Sequence, residues 1–161
     1  MTVIPQSILV ISIILLFIVL LTMKKHQASS VNGQTVWSYW DSPHQPLIIK
    51  KCIENWQSVG GFRDIRVLNK STVSNWIPQS QLNYFTKITS NEANKSDLIR
   101  FYLLKNFGGI WIDASIFFNK NAFSWLPQDN KVFCFKADRF SKEGITCLEN
   151  FLIKSQKNMM Q

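Results

Sequence analysis

Apolar residues run from Ile8 to Leu21 with Ser12 as the one polar break. Counted from Val3 to Met23, the segment reaches the roughly 20 residues a helix needs to cross a bilayer. This predicts an N-terminal transmembrane helix, a membrane anchor over residues 1–23. A cleaved signal peptide is the rival reading, but no Lys or Arg precedes the run and no small-residue cleavage site follows it. Residues 24–35 then turn polar, with Ser29-Ser30 and Asn32-Gly33, and read as a linker. Beyond it the pattern changes character. Val36-Trp37-Ser38-Tyr39-Trp40 is rich in β-formers, and Pro46 can open a helix whose apolar positions Ile48, Ile49, Cys52, Ile53 and Trp56 fall on one face. Gly60-Gly61 ends that helix, and Asp64 to Leu68 reads as a second strand, completing a strand–helix–strand unit with a parallel crossover.

Ser71 to Ile77 predicts a short helix stopped by Pro78, and the stretch to Asn94 reads as loop with helical pieces. Ser96 is a natural N-cap for a helix that is apolar almost all round, predicting burial. Gly108 supplies the positive-φ residue that ends it. Ile110-Trp111-Ile112 is a short buried strand finishing on Asp113. On an extended chain Asp113 and Ser115 share one face. Phe117-Phe118 extends this strand, Lys131 to Lys136 is another, and Glu143 to Lys157 carries Ile145, Leu148, Glu149, Leu152 and Ile153 near helical spacing. Strands alternating with helices, with charge at a strand's C-terminal end, predict an open, Rossmann-like α/β sheet that binds ligand at that edge. Residues 36–161 are the one domain that 161 residues leave room for.

Charge sharpens the picture at one place. Asp97 and Arg100, spaced i and i+3, lie together on the otherwise apolar helix, where a charge persists only if paired or lining a polar cavity. A structural ion pair and a ligand-binding pair both satisfy this. The chain as a whole carries +8 at neutral pH, which suits an anionic partner. Those charges are dispersed, with no dense Lys/Arg block, zinc-finger spacing or aromatic RNA-binding signature, so nucleic acid is not expected as a partner. Cys52, Cys134 and Cys147 fit no metal spacing, and a Cys134–Cys147 bridge stays open. His26 and His44 have no cluster around them.

Ser96-Asp97-x-x-Arg100, apolar helix, Gly108-Gly109, then Ile110-Trp111-Ile112-Asp113-x-Ser115 resembles the sugar-binding DXD motif region of glycosyltransferases, in the branch of capsular polysaccharide synthesis proteins. The resemblance covers Val36 to Phe118. It implies a GT-A nucleotide-sugar-binding fold, here partial at the C-terminus, and transfer of a sugar from a nucleotide-sugar donor, a UDP-sugar, to a glycan or polysaccharide acceptor. A non-catalytic remnant keeping the same fold is the alternative. By the resemblance Asp97 and Arg100 hold donor sugar hydroxyls, Trp111 occupies a position where similar proteins carry an aromatic, and Trp40 stacks on the base. Core packing is the competing role for both tryptophans. Asp113 and Ser115 stand where the family binds Mn²⁺ or Mg²⁺, although Ser115 replaces the second Asp of the motif and weakens that expectation; Asp113 then serves the ribose or acts through water. No catalytic nucleophile or base can be named. Lys24 and Lys25 place the domain in the cytoplasm by the positive-inside rule. A eukaryotic glycosyltransferase would face the Golgi lumen, where Asn69-Lys70-Ser71 and Asn94-Lys95-Ser96 match the glycosylation pattern.

Overall fold

The computed structural model describes residues 35–129, 131–137 and 148–159. The predicted anchor over 1–23 lies outside them; among the described residues no helix is long and apolar enough to cross a membrane.

Among the described residues five strands form one sheet: β1 (Val36–Tyr39), β2 (Ile65–Leu68), β3 (Gly109–Ile112), β4 (Phe133–Lys136) and β5 (Leu148–Ser155), in the order β2-β1-β3-β5-β4. β1 lies parallel to β2 on one side and to β3 on the other, while β5 runs antiparallel to both β3 and β4. The sheet is therefore mixed, with β5 alone reversed. The chain goes one way from β1 to β2 and then returns to place β3 on the opposite flank. This is a topological switch point, where the C-terminal strand ends leave a crevice.

Between the strands lie helices α1 (Leu47–Ser58), α2 (Gln79–Ile88) and α3 (Glu92–Phe107). α1 buries Ile49, Cys52, Asn55 and Trp56. Ile48, expected on that face, is 68% exposed, because the buried stripe is rotated toward 49, 52 and 56. The loop before Asn94 proves more helical than its composition indicates, since α2 occupies most of it. α3 begins at Glu92 rather than behind Ser96. Its cap is Asn91, whose side chain accepts hydrogen bonds from the backbone N–H groups of Ala93 and Asn94 and meets donors a helix start leaves unpaired. The helix buries Ile99, Arg100, Leu103 and Leu104 but exposes Phe101 and Lys105. The expected all-round burial is thus a single buried face.

Gly108 and Gly109 turn α3 into β3 at φ values of 69° and 102°, a region L side chains rarely enter. A Cβ at Gly109 would also collide with the Thr35 carbonyl oxygen. The tight turn brings β3 against β1, and the Trp37 indole donates to the Gly108 carbonyl at 2.8 Å. Val36, Trp56, Phe62, Ile110, Ile112 and Leu152 share one core cluster.

Two expectations downstream fail. The predicted helix over 143–157 is β5 from Leu148 onward: pairing with β3 and β4 along both edges overrides a local helical spacing. Phe117-Phe118 does not extend β3, because the chain leaves the sheet in a turn closed by the Ile116 N–H to the Asp113 carbonyl at 3.0 Å. Cys52 and Cys134 are free thiols, and Cys147 lies outside the described residues.

Candidate functional site

At the C-terminal ends of β1 and β3 opens a cleft of about 330 Å³, lined by Tyr39, Trp40, Asp97, Arg100, Asp113, Ser115 and, from β5, Asn150, with Ala93, Ser96 and Ala114 between them. Five of the six sequence-predicted site residues thus converge. The sixth, Trp111, lies beneath, 1% exposed.

Arg100 is the hub. Only 3% exposed, its guanidinium lies between two carboxylates, with Nη1 2.9 Å from Asp97 Oδ1 and Nη2 2.8 Å from Asp113 Oδ1. The Asp113 contact is a hydrogen bond; the Asp97 contact is an ion pair lacking hydrogen-bond alignment, so Nη1 and Nε stay without hydrogen-bond partners. Trp111 supports the pair twice. Its Nε1–H donates to Asp113 Oδ1 at 2.6 Å, and its ring lies under the guanidinium at 4.9 Å from the centroid, a cation–π contact. Trp111 therefore positions Asp113 and Arg100 without reaching the cleft. Asn150 Nδ2 donates to Asp97 Oδ1 at 3.3 Å.

Burial pushes the Asp113 carboxyl above its ordinary value, against the pull of the Trp111 hydrogen bond and the Arg100 charge, with Asp97 adding to the rise. Two carboxylates against one guanidinium leave the cluster at −1. Such a set suits neutral hydroxyls, which can donate to carboxylate oxygens and accept from a guanidinium.

Asp113, Asp97 and Ser115 offer the hard oxygen donors that Mg²⁺ and Mn²⁺ prefer, yet Arg100 occupies Oδ1 of both carboxylates. Among the described residues no three His, Cys, Asp or Glu side chains converge. Ser115, expected to share a strand face with Asp113, instead sits exposed in the turn after β3.

That turn is held from behind by α1, a contribution invisible in the motif. The Cys52 thiol lies 3.5 Å from the Ser115 carbonyl, Trp56 Nε1 donates to the Ile116 carbonyl at 2.7 Å, and buried Asn55 both donates to the Phe118 carbonyl at 3.0 Å and accepts its N–H at 2.7 Å. Asn150 was equally hidden, because it reaches the cleft only through a strand the local pattern disguises. Tyr39 is different, since its place at the end of a predicted strand could have marked it.

An α/β sheet that gathers charged side chains at its switch point is the arrangement of an open α/β ligand-binding fold. A solved structure titled "PaToxG Glycosyltransferase" has this fold, with a TM-score of 0.55 at 16% identity over 78% of the chain and 55% of that structure. The chain spans about half of that protein's length. Residues 17–160 match the family described as "Capsular polysaccharide synthesis protein", and the chain belongs to that family. No curated protein matches it.

Proposed function

We propose that this protein is a glycosyltransferase that takes a sugar from a nucleotide-sugar donor, a UDP-sugar, and passes it to a glycan or polysaccharide acceptor. The observation that carries this reading is the Asp97–Arg100–Asp113 constellation, seated on Trp111 at the switch point. A buried guanidinium shared by two carboxylates is an expensive arrangement for stability alone, and here it opens onto a cleft. Such an intact cluster supports an enzyme over a remnant that keeps only the fold. In this reading Asp97 and Arg100 orient the donor sugar through its hydroxyls, Asp113 holds the guanidinium and the ribose or sugar edge, and half-buried Trp40 offers a ring face to the base. Preorganisation is the chain's contribution: the groups are fixed before substrate arrives, so little reorganises during transfer.

The cluster's negative charge cannot by itself hold a departing diphosphate. A divalent ion, Mn²⁺ or Mg²⁺, would supply the positive charge a departing diphosphate needs, and Asp113 and Ser115 are the side chains that would hold it.

Calorimetric titration with UDP and UDP-sugars tests the reading. Asp97 is 42% exposed along its side chain, so Asp97→Asn is expected to change stability by about 1 kcal/mol or less while weakening donor binding about tenfold, as loss of a charged hydrogen bond does. Arg100→Lys keeps the charge but not the planar fork, and should lose at least as much. If both variants bind donor like the parent, the cluster is structural. Ser115→Asp places a second carboxylate beside Asp113, a repulsion that a bound cation relieves. It should tighten Mn²⁺ binding in the presence of UDP; equal Mn²⁺ affinity in parent and variant removes Ser115 from the ion's surroundings.

A further inference from the structure

Charge is divided between the two ends of the strands. At the C-terminal ends, around the cleft, stand Asp41, Glu92, Asp97 and Asp113, and the cations beside them are engaged: Arg100 with two carboxylates, Lys70 and Lys95 with Glu92. The opposite, N-terminal edge of the sheet is different. Arg63 precedes β2, Lys105 lies in the last turn of α3 just before β3, Lys131 precedes β4, and Lys157 follows β5, which runs antiparallel to them. Lys120 joins them, because the turn it belongs to is tied to the end of α1 by the Ala122 N–H to the Gly60 carbonyl at 3.0 Å. The Asn158 N–H bonds the Lys105 carbonyl at 2.9 Å, which brings the ends of α3 and β5 together. All of these cations are exposed, and among the described residues none of them forms a salt bridge. Little negative charge balances them. Asp64 is held by Arg66 and Thr35, leaving Asp129, which accepts the Lys131 backbone N–H at 3.3 Å. Val59, Val132 and Met159, exposed by 37%, 42% and 50%, lie at the same edge.

Cations gathered on one edge without carboxylates repel one another and set up a field that favours an anionic surface. We infer that this edge docks on a bilayer carrying anionic phospholipids, with its cations among the headgroups and its exposed apolar side chains at the interface. The path of the chain selects a lipid surface over a free polyanion. β1 begins at this edge, and the residues before it lead back through 24–34 to Lys24-Lys25 and the apolar run that ends at Met23. Fully extended, 24–34 span at most about 40 Å, so a domain tethered through them stays beside the surface, where contacts too weak to hold a free protein suffice. Each cation close to an anionic leaflet adds to the attraction, which fades within a Debye length. The cleft, at the other end of the strands, then opens away from the lipid. This docking does not depend on what the cleft binds.

Lysine acetylation read by mass spectrometry tests this on the full chain incorporated in vesicles of phosphatidylcholine, alone or with about one third phosphatidylserine. At low salt Lys105, Lys120, Lys131 and Lys157 should react about fivefold or more slowly on the anionic vesicles than on the neutral ones. The difference should vanish in about 0.5 M salt, where the Debye length shrinks to a few Å. Lys50 on α1 and Lys87 on α2, exposed and likewise without a carboxylate partner among the described residues, should react alike on both. Arg63→Glu combined with Lys157→Glu, both at exposed positions, should restore the reactivity of Lys105 and Lys131 with an unchanged melting temperature. Equal reactivity on the two vesicles at low salt overturns the docking, as does protection that survives high salt or the double substitution. A chain that floats with neither vesicle overturns it too. Stronger protection by an acidic polysaccharide or an oligonucleotide than by anionic vesicles assigns the edge to a free polyanion instead.

Discussion

At the scale of single residues, Asp113 is under opposing demands. Burial raises its carboxyl above the ordinary value, while Trp111 and Arg100 draw it back down. A carboxyl whose folded-state pKa exceeds its unfolded one binds its proton more readily in the native state. Its ionisation therefore subtracts from stability: the penalty is absent below the unfolded pKa and complete above the folded one. Relative to Asp113→Asn, the parent should gain stability as pH falls through the range just above about 4, read from urea unfolding at several pH values. Donor binding should move the opposite way in the same window, because the protonated carboxyl no longer balances Arg100. Parallel loss of stability and binding on acidification would contradict this account of Asp113. Tyr39 is raised further, to about 12, by burial and then by the charges of Glu92 and Asp41, so its hydroxyl remains a neutral donor throughout that range.

At the scale of elements, the site depends on a helix that contributes nothing to its surface. α1 fastens the turn carrying Ser115 through Cys52, Asn55 and Trp56, and Asn55 meets both the N–H and the carbonyl of Phe118. Removing that side chain strands two buried backbone groups, each worth about 1–3 kcal/mol. Asn55→Ala should lower stability by about 2–6 kcal/mol on that basis, and speed amide exchange at Phe118 well beyond its effect on β1. It should also weaken donor binding with every cleft residue still present. Exchange at Phe118 no faster than the global loss of stability requires would mean the turn is held by other contacts. The same helix shows how far periodicity can be trusted. Its existence and its buried Ile49, Cys52 and Trp56 followed from spacing, whereas the exposure of Ile48 followed from how the helix rolled onto the sheet.

At the scale of the whole molecule, the described domain joins a sheet of parallel-strand origin to a reversed strand, β5, which delivers Asn150 to the cleft. Its relation to a bilayer rests on residues 1–23, outside the described part. Their apolar length motivates the expectation that the full chain stays in the pellet on alkaline carbonate extraction and keeps Met1. Release of the intact protein, or an N-terminus beginning near Gln27, would remove the anchor.

What the sequence determined by itself is what short range can encode. The β1–α1–β2 unit, the end of α3 at Gly108 and the pairing of Asp97 with Arg100 on one helix face follow from side-chain periodicity, positive-φ glycines and the cost of isolated charge, whereas their meeting with Asp113 was implied by the resemblance of the motif. Those are local properties of a few consecutive turns. The cap at Asn91, the role of Trp111 as a support and the turn at Asp113–Ile116 needed the neighbours that compete for each group. β5 is the clearest case. Residues near helical spacing became a strand because β3 and β4 offered hydrogen bonds along both its edges, and pairing across so many intervening residues leaves no mark in the segment's own pattern. Asn150 reaches Asp97 through that tertiary arrangement, because it joins side chains that only the folded sheet brings together.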